Sequence, residues 1–280
     1  MDLLATQNSA TGFGNATGGG QDSAGGSELN QIFASIVGTT LELGITGNLE
    51  GNFNKMWIFF DGVAGGQNVL ENDNADGGFG EINNLAGLTF DGGFTADRGM
   101  RIEIGGGFWS VRGFDLIAKS ATEIALGGGP GDLPLAAVTG GYGVSFGWDN
   151  SNVLGVDLVS AAAANTATTG WEFSIDMATY FGESPSSVGI SAFISNGDGG
   201  FLSNQVLPGT GGTGNLGNPA DSTIGFVTAV PEPSSCLLLS LGGLLMIRRK
   251  RPGSSIPGQH PGSFFLAKSG FGGESGGLNY

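Results

Sequence analysis

Short apolar segments separated by glycine-rich breaks run along most of this chain, and the period of each segment reports how it is buried. Residues 40–46 set Leu41, Leu43 and Ile45 against Glu42 and Gly44, the two-residue period of a strand with one covered face. Tyr142, Val144, Phe146 and Trp148 repeat that period, as do Trp171, Phe173, Ile175 and Met177, and Val188, Ile190, Ala192 and Ile194. Residues 55–61 differ. There Met56-Trp57-Ile58-Phe59-Phe60 is one apolar run between charges, which suits a central strand covered on both faces. Residues 88–91, 100–104, 113–118 and 224–228 are further extended segments. Residues 153–159 are expected as the hairpin partner of 142–148 across Asp149-Asn150-Ser151-Asn152. Helical turns are expected only at 79–86 and 176–181, and connections at 65–80, 126–134 and 201–220. Eight or nine strands with almost no helix predict an all-β fold, an antiparallel β-sandwich of jelly-roll-like type over residues 29–229. Residues 1–28 are small and polar, and are expected to be flexible.

Residues 230–251 break the pattern. Pro231, Glu232 and Pro233 precede an apolar run from Cys236 to Ile247, and Arg248, Arg249, Lys250 and Arg251 close it. The prolines hold the backbone extended, and Ser234 or Ser235 can cap a helix. Leu237, Leu238, Leu239, Leu241, Leu244, Leu245, Met246 and Ile247 would form a short apolar membrane helix, with the cations held at the cytoplasmic face. The run is 12 residues, about 18 Å as helix against roughly 30 Å of hydrocarbon, with snorkelling Arg and Lys stems extending its reach.

This order of parts resembles the PEP-CTERM sorting signal of bacterial surface proteins. The resemblance implies processing near the motif by an exosortase-type enzyme and delivery to the cell surface or extracellular matrix. The chain would be membrane-anchored only transiently, with its C-terminus cytoplasmic. In that family the basic cluster normally ends the protein; here 29 residues follow it, and this Gly-, Ser- and Pro-rich tail, 252–280, is expected to be disordered. Met1-Asp2-Leu3-Leu4 has neither a basic nor an apolar export region, so an export signal is expected upstream of Met1.

Charge divides at the same place. Residues 1–230 carry 23 Asp or Glu against five Lys or Arg, a net −18, and the last 50 residues contribute +3 to the total of −15. Such a body repels phosphates and has no basic stripe, so nucleic acid is not an expected partner. It would attract divalent cations. Glycine, at 56 of 280 residues, is about three times its usual share, without the Gly-X-Y period of collagen. Cys236 is the only cysteine, which excludes an intramolecular disulfide.

Residues 1–231 hold no histidine and no cysteine, which removes Ser-His-Asp and Cys-His catalysis and the usual His-containing zinc sites. A carboxylate-dependent glycoside hydrolase needs only two acids, but no motif marks a pair, and a non-enzymatic protein is expected. Asp73, Asn74 and Asp76, near Glu71, offer hard oxygens for calcium as an optional cofactor, or form an ordinary turn. The 196–200 loop has fewer such oxygens and reads as a turn. Trp57, Trp148 and Trp171 read as core. Trp109, between Gly105-Gly106-Gly107 and Ser110, is the tryptophan expected to be exposed and available to extracellular polysaccharide. The glycine run is no phosphate loop, because no Gly-Lys-Ser/Thr follows.

Leu43-Gly44-Ile45-Thr46-Gly47-Asn48-Leu49, Asn54-Lys55-Met56-Trp57-Ile58-Phe59-Phe60-Asp61 and Gly170-Trp171-Glu172-Phe173-Ser174-Ile175 are similar to uncharacterised PEP-CTERM proteins, several from planctomycete-like bacteria. The Trp-Glu-Phe strand in this order also resembles carbohydrate-binding family 9 sandwich modules. That resemblance implies an alternative role as a calcium-assisted carbohydrate-binding module.

Overall fold

The computed structural model describes residues 1–13, 26–76, 81–129, 135–152, 154–156 and 164–232. Strands β1 (Asp2–Thr6), β2 (Glu28–Val37), β3 (Thr40–Asn48) and β4 (Asn52–Asp61) come first, followed by the short β5 (Thr89–Phe90). Then come β6 (Arg98–Gly105), β7 (Phe108–Asp115), β8 (Ser120–Gly128), β9 (Leu135–Thr139) and β10 (Val144–Trp148). Strand β11 (Gly170–Asp176) leads into α1 (Met177–Phe181), and β12 (Val188–Ser195), β13 (Leu202–Leu207), β14 (Thr223–Ile224) and β15 (Val227–Ala229) follow. The fold is all-β, as the periodicity predicts.

Two antiparallel sheets carry it. Sheet A runs β1-β2-β3-β11-β10-β9, and sheet B runs β13-β12-β4-β6-β7-β8 with β15 also on β12. Strands β5 and β14 form a separate parallel pair. Leu41, Leu43 and Ile45 of β3 and Trp171, Phe173 and Ile175 of β11 share one core with Met56, Ile58 and Phe60 of β4 and Met100, Ile102 and Ile104 of β6. The two sheets are therefore packed in a sandwich-like manner. Burying each such side chain contributes about 1.5–3 kcal/mol before entropy is charged against it.

Sheet B has a second apolar layer. Trp57 and Phe59 of β4, Phe114 of β7 and Phe193 of β12 point away from the shared core into a cluster with Leu70, Ile82, Leu85, Leu88, Phe90, Phe94 and Ile224. Strand β4 is thus buried on both faces, the outcome its uninterrupted apolar run predicts. The expected helical turns are also present. One is a 3₁₀ turn at Asn83–Leu85. The other is α1, where Asp176 caps the start by accepting from Thr179 N at 2.8 Å, and Gly182 at φ 86° ends the helix.

Several expectations are corrected. The segment 1–28, expected to be flexible, supplies β1, which pairs with β2. Its Gln7 is buried and donates to Leu29 O at 2.8 Å and Gln205 Oε1 at 2.6 Å. The connection expected at 201–220 contains β13, buried along its whole length. Its polar Ser203, Asn204 and Gln205 disguised it; Asn204 accepts from Gly12 N at 2.8 Å and donates to Ala10 O at 2.7 Å. Strand β10 has β9 and β11 on its two edges; of the hairpin partner expected at 153–159, residues 154–156 form no strand and the rest lie outside the described residues. The strand expected at 113–118 starts earlier, at Phe108. Gly106 and Gly107, at φ 59° and 81°, make a two-residue turn closed by the Gly105–Phe108 pair, as a primed hairpin turn requires. Strand β8 was hidden because only Ile124 of it is buried.

Candidate functional site: an open trough on sheet A

Apart from Phe33 and Val37, the outward positions of β2, β3, β11 and β10 are small or polar, and register sets them in rows. Phe33, Gly44, Glu172 and Gly147 lie abreast on β2, β3, β11 and β10. Ser35, Glu42, Ser174, Ser145 and Thr139 form the next row. Glu172 therefore has a glycine on either side across the sheet; the Met1 side chain lies over the buried Gly44, while the Gly147 side carries no side chain beside the exposed Glu172 carboxylate. Phe33, Glu42, Gly44, Ser145, Gly147, Glu172 and Ser174 of these rows, with Met1, Asp149, Thr46, Thr168 and Thr169, line a trough of about 670 Å³. That lies within the size range of ligand sites. Ser174 donates to Glu42 Oε1 at 3.1 Å, and the Thr169 hydroxyl is buried with no hydrogen-bond partner among the described residues.

Carboxylates and hydroxyls of the lining accept from and donate to hydroxyl groups, the half-buried Phe33 ring and the Met1 side chain add apolar surface, and no Lys or Arg lines the trough. An anionic ligand would be repelled; a neutral polyhydroxylated one is matched. Nothing in the sequence pattern singled out Glu42 or Glu172 as a site. The available signal was the alternation in β3, β10 and β11, whose non-core positions are glycine, serine, threonine or glutamate.

The residues expected to carry function fare differently. Trp109, expected to be exposed, is 8 % accessible. Its ring meets Trp148 edge-on at 5.2 Å and lies across Gly127, where a Cβ would come within 2.2 Å of it. Because β7 begins at Phe108, the next residue turns into the core. Trp57, Trp148 and Trp171 are core residues as expected. Asn74 is buried and engages the Gln67 carboxamide at both ends, at 2.7 and 3.0 Å. Asp73 is exposed and accepts from Lys119 at 2.6 Å, which holds its carboxyl below the ordinary value. Asp76 is buried. Two of the three proposed calcium ligands are thus turned to other partners. Among the described residues no group of three His, Cys, Asp or Glu is placed to hold a metal. The 196–200 loop is a turn, with Asp198 accepting from Gly200 N at 2.8 Å.

Pro231 and Glu232 are exposed and lie in extended backbone along β2. Ile36 N–H donates to Val230 O, and Glu232 N–H donates to Ile36 O, both at 3.2 Å. Pro233, the apolar residues 237–247 and the cations 248–251 lie outside the described residues. Among the described residues no helix is long and apolar enough to cross a membrane.

A second polar cluster, on sheet B, is paired within itself, except that Arg101 Nε is buried with no hydrogen-bond partner among the described residues. Lys55 meets Glu103 at 2.7 Å and Glu81 at 3.3 Å, while Arg101 bonds Glu81, and Glu103 at 2.7 Å. Burial pushes the Glu103 carboxyl up, but Arg101, Lys55 and Ser110 more than offset this and leave it below its ordinary value. The two cations and two carboxylates pin the turn before Asn83 onto β6, which is a structural task. No protein-family model, curated protein or solved structure matches this chain.

Proposed function

We propose that this is a non-enzymatic protein of the bacterial cell surface or extracellular matrix. The PEP-CTERM-like block at 231–251 would deliver it, and its jelly-roll-like sandwich would hold a neutral, extended polysaccharide in the trough of sheet A. The observation that carries the binding role is Glu172, standing between Gly44 and Gly147 on an open sheet face lined with hydroxyls. The test is a glycan array read with the wild-type chain, Glu172→Gln and Gly147→Phe, which fills the floor of the trough. Binding lost at least tenfold in both variants supports the assignment; binding equal in all three removes it. Sorting is tested separately, by mass analysis of the mature C-terminus in native cells. An intact Arg248-Arg249-Lys250-Arg251 segment on a freely cytoplasmic molecule would contradict it.

One observation favours a second reading. Glu42 and Glu172 are diagonal neighbours across the β3–β11 ladder, a placement about 7–8 Å across the sheet. From there two glutamate side chains can reach the roughly 6.5–9.5 Å carboxyl separation of an inverting glycosidase pair. Neither has the apolar enclosure given to a general acid, so binding is the stronger reading. Release of reducing ends from an array-positive polysaccharide, abolished by Glu42→Gln, would reverse the order.

A further inference from the structure

The end of the sandwich where β2 starts and β3 finishes is packed with polar groups that the trough does not use. Glu28 opens β2 with an accessibility of 0 %, and Asn48, at 1 %, closes β3 directly opposite it. Residues paired in this way project from the same face of a sheet. Asn30 Nδ2 donates to Glu28 Oε1 at 3.1 Å, and Asn152 Nδ2 donates to the same oxygen. Asn152 Nδ2 also reaches the Leu154 carbonyl, and Asn48 Nδ2 reaches the Gly26 carbonyl. Asn48 Oδ1 is buried with no hydrogen-bond partner among the described residues. A buried carboxamide oxygen left in that state costs about 1–3 kcal/mol, so its retention calls for an account.

We propose that this cluster is a calcium site. It gathers the Glu28 carboxylate, the Asn48 and Asn152 carboxamides and the Gly26 and Leu154 carbonyls, a set of oxygen donors with no sulfur or imidazole. Calcium takes six to eight such oxygens at about 2.3–2.6 Å and tolerates irregular geometry, whereas magnesium is smaller and keeps its waters. A half-turn of the Asn152 carboxamide replaces its nitrogen by its oxygen at the same point. The side chain can then donate to Glu28 without a cation and coordinate with one. The cation would also give Asn48 Oδ1 its missing partner.

The loop that brings Leu154 is held close for this purpose. Val156 N donates to Asn30 Oδ1 at 2.9 Å, and Gly155, at φ 106°, comes so near that a Cβ would lie 2.4 Å from that oxygen. Glu50, 6 % accessible, accepts from Ser27 Oγ at 3.3 Å and Asn54 Nδ2 at 3.2 Å beside the cluster. Its charge adds to the potential that attracts a cation. The site is distinct from the trough and from Asp73, Asn74 and Asp76, and does not rest on the proposed polysaccharide role.

The experiment is a thermal melt and a calorimetric titration of the full chain, chelated and then supplied with calcium or magnesium chloride. Calcium at a hundredfold excess over its Kd should raise the melting temperature by about 5–10 °C, with little effect of magnesium. Asn48→Leu should abolish the rise while the circular dichroism stays that of a β protein, and Asp73→Ala should keep it. Asn48→Asp protects the test against a misfolded leucine variant. A second carboxylate facing Glu28 should lower the melting temperature in chelator and return it with calcium. No rise in the wild type, a rise that survives Asn48→Leu, one lost with Asp73→Ala, or an Asn48→Asp defect that calcium leaves unchanged would each overturn the proposal.

Discussion

Sheets A and B contribute facing sides to the same core, but their outer faces have opposite fates. Outside sheet B, residues from 67–76, 81–96 and 216–226 lay down a second apolar cluster, with Phe59 stacked between Trp57 and Phe193 and tilted against Phe90. Outside sheet A the described residues leave a trough open, where Gly147, Ser145, Ser174, Thr46 and Glu172 are half-buried or exposed. A layer that must be dry is built from large apolar groups in an unbroken run. A layer that is to be touched alternates, and keeps its outward positions small. The difference separates the part of the molecule that stabilises it from the part available for recognition.

The most severe way to break this contrast is to truncate a ring under the cover. Phe59→Ala should destabilise by about 3–5 kcal/mol, whereas Phe33→Ala on the open face should cost no more than about 1 kcal/mol, both read by urea unfolding. Similar losses at the two positions would mean that sheet A is also covered. The next largest effect is on pH. Asp97 accepts from Gly62 N and Val63 N at 2.6 and 2.8 Å where the cover joins sheet B, and burial pushes its carboxyl from 3.8 up to about 6. The folded chain then holds this proton more tightly than the unfolded one. The Asp97 contribution is therefore most favourable below about pH 4 and is lost as pH rises through about 6, at a cost of roughly 3 kcal/mol. Asp97→Asn should flatten that part of the stability profile between about pH 4 and pH 7. An unchanged wild-type-minus-variant difference across that interval would sink the assignment. The smallest effect is expected at Glu172→Gln, within about 0.5 kcal/mol of wild type in unfolding, even though the same change should weaken glycan binding. A large stability loss there would make Glu172 a structural residue.

Much of this contrast was legible in residue order. The five apolar residues from Met56 to Phe60 announced a strand covered on both faces, and Leu41, Leu43 and Ile45 announced one covered on a single face. What sequence could not convey is which distant segments meet. Strand β13 carries Ser203, Asn204 and Gln205 into a buried position because Gln7, Ala10 and Gly12 arrive from almost 200 residues away to satisfy them. Trp109 reads as exposed in the sequence for a related reason: its glycine neighbours form a tight turn, and its packing partners, Phe146 and Trp148, belong to the other sheet. The trough escaped notice because it is made largely of what is missing between Gly44 and Gly147. The oxygens near Glu28 come from three separate stretches of chain, and no local motif spells them.

The path of residues 227–232 has a mechanical consequence. Strand β15 is bonded to β12 in sheet B, and two residues later the backbone is bonded to Ile36 in sheet A. If the chain is tethered through its C-terminal side as proposed, tension applied there meets the hydrogen bonds to Ile36 first and the β15–β12 pairing second. The load would pass into both halves of the sandwich in turn, and a drag force on the cell surface would have to unzip that seam before it could reach the core.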